Sequence, residues 1–309
     1  MIKTNTHKPE DIPDIVYILY EDSESITKNN FKYKNLLKYS MSSFVNCILK
    51  NYLIRNHRPR AFDLTASCSN TYDELELNNL PNIHIYSSVD INTSNNKIIY
   101  HNLNEVIKIC PISPITDTYK YIPILKAATM LYHSQYYDNS KPFILSDVDI
   151  IYHNYKNNNF DTKNMYLCGL EYQPMYSFLC FKRGLKIWSN YGVEKQKDIE
   201  EYKKYEEYLK MPMQMQIFNN GIISIPHNYI KDFYDLYYNY LLELGKVNNE
   251  ELKFPYPFWT AEMFATNYAM NHISLNQGIM IRRIDPDVFD LIHDINNQFY
   301  KYTEDILNI

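Results

Sequence analysis

The stretch "PFILSDVDIIY", residues 142–152, decides how the rest of the chain is read. An apolar run, Phe143-Ile144-Leu145, leads through Ser146 to two carboxylates one residue apart, Asp147 and Asp149, and apolar residues resume at Ile150. A continuous apolar run suits a central strand covered on both faces. In a strand, residues i and i+2 share a face, so the two aspartates would aim at one point if strand geometry continued through them. Carboxylates so placed repel and raise each other's pKa. A divalent cation removes the conflict, and an oxygen-only donor pair suits Mg²⁺ or Mn²⁺, which also hold phosphate oxygens. The pair therefore reads as a grip for a metal-bound diphosphate. The alternative is a polar turn whose carboxylates face water or cap a helix.

Working outward, "IPDIVYILYED" (12–22) reads as a buried strand, and 31–54 carries the apolar spacing of a helix. Short strands are predicted at 60–67 and 82–90, and a helix at 119–133 with Pro123 tolerated in its first turn. Strands alternating with helices predict an α/β fold, a mainly parallel central sheet flanked by helices. Such sheets bind ligands at the carboxyl ends of their strands, which is where Asp147 and Asp149 fall. In the second half, strands are predicted at 164–172 and 218–226, and a charge-rich surface helix or lid at 195–211. A helix at 229–245 would be closed by Gly245 at C′, and 255–271 reads as a proline-rich turn entering another helix. No internal repeat or long linker divides the 309 residues, so a single domain is expected.

Composition narrows the function classes. Hydrophobic residues at 45% and charged residues at 22% are those of a globular protein, and a net charge of -5 without a basic block disfavours nucleic acid. The start, "MIKTNTHKPEDIPD", has no apolar core of a signal peptide, and no window reaches the ~20 apolar residues of a membrane span. A cytoplasmic protein is expected. The five cysteines, Cys47, Cys68, Cys110, Cys168 and Cys180, include no CxxC pair, which argues against a zinc knuckle or disulfide framework. Tyrosine occurs 31 times, an excess that either codon bias or stacking against sugars would explain. Glycine occurs six times, first at Gly169. A P-loop or GxGxxG turn is therefore impossible in residues 1–168, and a phosphorylated ligand there must be held by side chains or a metal.

The segment "FILSDVDII" follows a helix carrying Lys120 and Lys126, precedes "FNNGIISI" at 218–225, and is followed far downstream by His293 in "DLIHDINNQFYK". In this order the sequence resembles the GT-A nucleotide-sugar glycosyltransferases, the glycogenin-like groups most closely, over roughly residues 12–300. The resemblance implies one GT-A-like domain, with 1–165 mainly binding the donor and 166–309 mainly shaping the acceptor side. It implies that Asp147 and Asp149 contact Mn²⁺ or Mg²⁺ and the donor, with His293 as third ligand. Asn219 would touch donor or acceptor sugar, and Gly221 would let its strand approach the ligand closely. Lys126 and Lys301 would face the diphosphate, and Leu19, Tyr20, Glu21 and Asp22 would hold the base. The tail departs from the family's His-x-x-Gly-x-x-Lys pattern, since no glycine follows His293 by three and Lys301 lies eight residues on. His272 and His227 are the other histidine candidates.

The implied activity is metal-dependent transfer of a sugar from a nucleoside diphosphate sugar, with UDP the expected nucleotide, to a hydroxyl of a glycan, protein or small molecule. An inverting enzyme needs a carboxylate base. Glu262 in "WTAEMF" and Glu171 in "GLEYQ" are the candidates, although Glu262 equally suits the first turn of a helix. Trp259 is either a sugar platform or a core residue. Two other readings compete. A haloacid-dehalogenase-type phosphatase would use Asp147 as nucleophile, but Ile151 stands where that family has Thr or Val, and no acidic metal motif with glycine is apparent downstream. A non-catalytic nucleotide-sugar-binding protein would share the fold.

Overall fold

The computed structural model describes residues 12–21, 32–48, 80–91, 96–109, 122–137, 141–155, 160–168, 172–174, 206–207, 210–211, 216–246, 258–284 and 289–293. Its strands are β1 (Asp14–Leu19), β2 (Ile83–Ser87), β3 (Ile98–Asn102), β4 (Phe143–Ser146), β5 (Ile150–Tyr155), β6 (Met165–Cys168), β7 (Tyr172–Pro174), β8 (Gln216–Phe218), β9 (Ile222–Ser224), β10 (Ile281–Ile284) and β11 (Phe289–His293). Seven of them form one sheet in the order β10-β6-β9-β4-β1-β2-β3. The β1–β2, β2–β3, β1–β4 and β6–β10 pairs are parallel, while β9 runs antiparallel to both β4 and β6. β9 is thus the single reversed strand in a mostly parallel α/β sheet. Two antiparallel ribbons, β5–β11 and β7–β8, stand apart from it.

The alternation of side chains divides the core. Ile15, Tyr17, Ile144 and Ile222 pack on one face with helix α1 (Lys32–Ile48) and with Ile150 and Tyr152 of β5. Val16, Leu145, Leu167 and Ile223 pack on the other with α2 (Leu103–Ile109), α3 (Ile122–Tyr136), α4 (Ile230–Lys246) and α5 (Phe258–Gln277). Adjacent residues of β1, β4 and β9 therefore serve opposite layers, which is why these strands read as unbroken apolar runs. Pro123 lies second in α3, where its missing N–H costs nothing. Among the described residues no helix is long and apolar enough to cross a membrane.

Several sequence expectations are corrected. β4 stops at Ser146, and Val148 and Asp149 form a turn before β5, so the same-face strand argument does not reach the aspartates. The apolar residues after them belong to a separate ribbon. The single strand predicted at 218–226 is two strands, β8 and β9, broken at Asn219–Gly221. Helix α4 continues past Gly245 to Lys246, so Gly245 is not its C′ residue. The left-handed cap belongs instead to Gly278 after α5, with φ 70° and its N–H on the Ser274 carbonyl at 2.9 Å. The strand predicted at 60–67, and all of the helix predicted at 195–211 except 206–207 and 210–211, lie outside the described residues.

One polar group is built into the core beside α3. The His84 Nε2 lies 3.9 Å from the Asp14 carboxylate. The His84 Nδ1 is hydrogen-bonded with His101 Nε2 at 3.0 Å, and His101 Nδ1 with the Tyr137 hydroxyl at 2.8 Å. His133 of α3 packs edge-on against His84, with ring centres 4.5 Å apart. Burial, and then the neighbouring imidazoles, push His133 down to about 3; burial and then His84 push His101 down to about 4. Both rings are neutral in the folded chain, whereas an unfolded chain binds protons near the ordinary 6.5. Because the folded values are depressed, the stability they protect is present above that value and declines as pH falls toward about 4. We expect the urea midpoint to drop between about pH 7 and pH 5 while imidazole ¹⁵N spectra keep His101 and His133 neutral. Titration of either ring near its ordinary value would contradict this.

Candidate active site at the carboxyl end of β4

The site begins where β4 ends. The Asp147 N–H donates to the Gly221 carbonyl at 2.8 Å, which ties the aspartate turn to the break between β8 and β9. Asn219 shapes that break by accepting the Gly221 N–H on its Oδ1 at 2.7 Å, an Asx turn. Asn267 of α5 holds the preceding strand, accepting the Phe218 N–H at 3.1 Å and donating to its carbonyl at 2.9 Å. Gly221 fits tightly among its neighbours. A Cβ there would stand 3.0 Å from Asn219 Oδ1 and Ile150 Cδ1, and 3.4 Å from Asp147 Oδ2.

Lys126, in the second turn of α3, reaches this junction from below. Its Nζ lies 2.7 Å from Asp147 Oδ1, 2.6 Å from Glu262 Oε1 of α5 and 3.0 Å from the Asn220 carbonyl. An ammonium has three donors, and three acceptors meet them. Asn220 Nδ2 also donates to Glu262 Oε1 at 2.7 Å, and the Thr266 hydroxyl anchors the same helix turn on the Glu262 carbonyl at 2.9 Å. Lys126, Asn220 and Glu262 are all buried. Burial alone would push the Lys126 ammonium down, but the carboxylates of Asp147 and Glu262 outweigh it and hold the group well above the ordinary lysine value. Glu262 moves up, because burial and the Asp147 charge together exceed the pull of Lys126. Tyr237 of α4 is also pushed well above the usual range, first by burial and then by these two carboxylates.

The expected site residues are distributed unevenly around this cluster. Asp147, Asn219, Gly221, Lys126 and Glu262 come together. Asp149 is partly buried in the same turn. His293 pairs in register with Ile150 across the β5–β11 ribbon, so its backbone lies one residue along from Asp149. Leu19 is fully enclosed in the core, and its carbonyl accepts the Ser88 N–H at 3.0 Å. Tyr20 is partly buried against the core. Glu21 is buried, and its carboxylate accepts the Lys34 N–H at 2.8 Å in the first turn of α1. That use is structural, an anion at a helix amino end. Asp22, Glu171 and Lys301 lie outside the described residues. Trp259 opens α5. His272 is exposed on α5, and His227 lies in a turn near the opposite end of β9. Among the described residues no three His, Cys, Asp or Glu side chains form a metal cluster. Sequence reasoning missed Asn220; the only local trace of it is the doubled asparagine in "FNNG".

No family model matches the chain, and no curated protein does. Among solved structures, the galactosyltransferase LgtC in complex with donor and acceptor sugar analogues is 10% identical over 82% of this chain and 70% of its own, with a TM-score of 0.39. An active-site mutant of LgtC gives the same values. Mouse xyloside xylosyltransferase 1 is 12% identical over 89% of this chain and 85% of its own, with a TM-score of 0.42. Likenesses at this level stand beside the geometry of the site and add no residue to it.

The cluster makes two stability predictions. Lys126→Ala leaves the buried Glu262 carboxylate and the partly buried Asp147 carboxylate without their shared cation and is expected to cost about 3–5 kcal/mol in urea unfolding, whereas Glu262→Gln keeps an acceptor for Lys126 and costs less. Equal small losses would mean that the pair is solvated. Gly221→Ala forces Asn219 and Ile150 aside and is expected to cost about 1–3 kcal/mol, measured the same way.

Proposed function

We propose that the chain is a metal-dependent glycosyltransferase that moves a sugar from a nucleoside diphosphate sugar, with UDP as the expected nucleotide, to a hydroxyl acceptor. The observation that supports this reading is the junction of Asp147 with Gly221. A turn bearing two aspartates lies against a tightly enclosed glycine, at the carboxyl end of a central strand. Open α/β sheets bind their ligands there. The motifs "FILSDVDII" and "FNNGIISI", quoted above for their resemblance to GT-A enzymes, are the two segments that this junction joins.

The donor set fits Mg²⁺ or Mn²⁺, which accept one or two carboxylates and leave positions for phosphate oxygens. Asp147 and Asp149 would hold the ion, with His293 as the third ligand. Once bound, such an ion supplies Lewis-acid neutralisation of the leaving diphosphate. Lys126 contributes a permanent positive charge beside Asp147, because Glu262 and the Asn220 carbonyl keep its ammonium charged and aimed. Asn219 holds the Gly221 turn open for close approach of the sugar. Glu262, committed to Lys126 and enclosed, serves as a positioning residue, which leaves Glu171 as the candidate base for an inverting reaction.

The test is thermal stability with a panel of nucleoside diphosphates and Mn²⁺, Mg²⁺ or EDTA, for wild type and Asp149→Ala. A ligand at ~100 times its dissociation constant adds about 2.7 kcal/mol to the native state. We expect Mn²⁺-dependent stabilisation by UDP that Asp149→Ala abolishes, followed by release of UDP from a UDP-sugar. If the folded protein is stabilised by no nucleoside diphosphate, the proposal fails. Orthophosphate release from phosphomonoesters would point to the phosphatase, and sugar-nucleotide binding without turnover to a binding protein.

A further inference from the structure

A cavity of about 360 Å³ opens at the amino end of β4, the opposite end of the strand from Asp147. His133, Lys141, Phe143, Thr162, Pro226 and Asn228 are among its walls. β4 spans four residues, so the cavity and the aspartate turn lie about 13 Å apart along it. The volume falls within the usual range for small-molecule sites, about 300–1,000 Å³.

The chemistry of the walls is one-sided. Among the described residues lining the cavity none is a carboxylate, in a chain whose net charge is -5. Lys141 is exposed and makes no ion pair with any described residue. The decisive group is His133, which is only 4% exposed. The Tyr86 hydroxyl is fully buried, and its partner is His133 Nδ1 at 3.1 Å. A buried O–H with one acceptor in reach donates to it. The His133 proton is thereby placed on Nε2. Nε2 has no partner among the described residues, and its ring lines the cavity. An N–H donor of a mostly enclosed imidazole and a surface ammonium thus flank the space.

We propose that this cavity is a second ligand site, separate from the Asp147 site, for a small metabolite bearing an oxyanion, with Lys141 as counter-charge and the His133 Nε2–H as the donor that orients it. The phosphate or carboxylate end sits between these two groups, and Thr162 and Asn228 contact the remainder.

The experiment follows the His133 imidazole in long-range ¹H–¹⁵N spectra, assigned with His133→Gln, while inorganic phosphate, glucose 6-phosphate, succinate or neutral glucose is added up to tens of millimolar. We expect the free protein to show the Nε2–H tautomer. Phosphate-bearing or carboxylate-bearing probes should shift the His133 signals, their relative affinities distinguishing the two sources of oxyanion, and glucose alone should not. Lys141→Ala, an exposed change that leaves the fold intact, should weaken binding about tenfold. Asp149→Ala should leave it unchanged. No response of His133 to any oxyanion, undiminished affinity in Lys141→Ala, or loss of binding in Asp149→Ala would each overturn the proposal.

Discussion

A buried ammonium needs three acceptors, and in this protein they come from three distant segments. Lys126 of α3 meets the Asp147 turn, the Asn220 carbonyl between β8 and β9, and Glu262 of α5. Removing charges from water costs several kcal/mol per ion unless each is closely paired. The relative placement of α3, α5 and the end of β4 is therefore constrained electrostatically as well as by packing. One ammonium against two carboxylates also leaves an excess of negative charge at Asp147, which would favour a further cation on that side of the aspartate.

The reversed strand β9 makes this meeting possible. It pairs with β4 through Ile222 opposite Ser146, so its leading residues Asn219–Gly221 arrive at the carboxyl end of β4 from the opposite direction. A parallel strand would bring its own carboxyl end there, with a different set of side chains. The β5–β11 ribbon closes the other flank and carries His293 opposite Ile150. This end of the sheet is thus built from turns that antiparallel contacts hold in place, with Gly221 packed closely against Asn219, Ile150 and Asp147.

Much of the parallel sheet was legible because its signals are local. The apolar runs of β1, β2 and β4 and the helical spacing of α1, α3 and α4 each sit within one window of sequence. Asp147, Lys126, Asn219 and Gly221 could be picked out because they lie in short motifs resembling a known family. The pairing of Glu262 with Lys126 leaves no such trace, since 136 residues separate them; the local explanation of a first-turn glutamate also fails, because Glu262 stands in the second turn of α5. The chain of Asp14, His84, His101 and Tyr137 is invisible for the same reason, being spread over three strands and a helix end. The strand expected through Asp149 ended early because apolar residues on both sides of a turn look alike in sequence, whether or not they share a sheet.

The long separation between Lys126 and Glu262 also bears on the order of events during synthesis. β1 to β4, with α3 among them, emerge before Gly221 or Glu262 has been made. At about 5–20 residues per second, the 136 residues between the two partners take roughly 7–27 s to translate. During that interval a nascent four-strand parallel unit would present β4 without its neighbour β9, and Lys126 without its second carboxylate. An unpaired apolar strand edge is a liability for association with other chains. The ribosome-bound protein therefore has a window of vulnerability that closes in two steps, first when β9 covers the edge of β4 and then when α5 delivers Glu262.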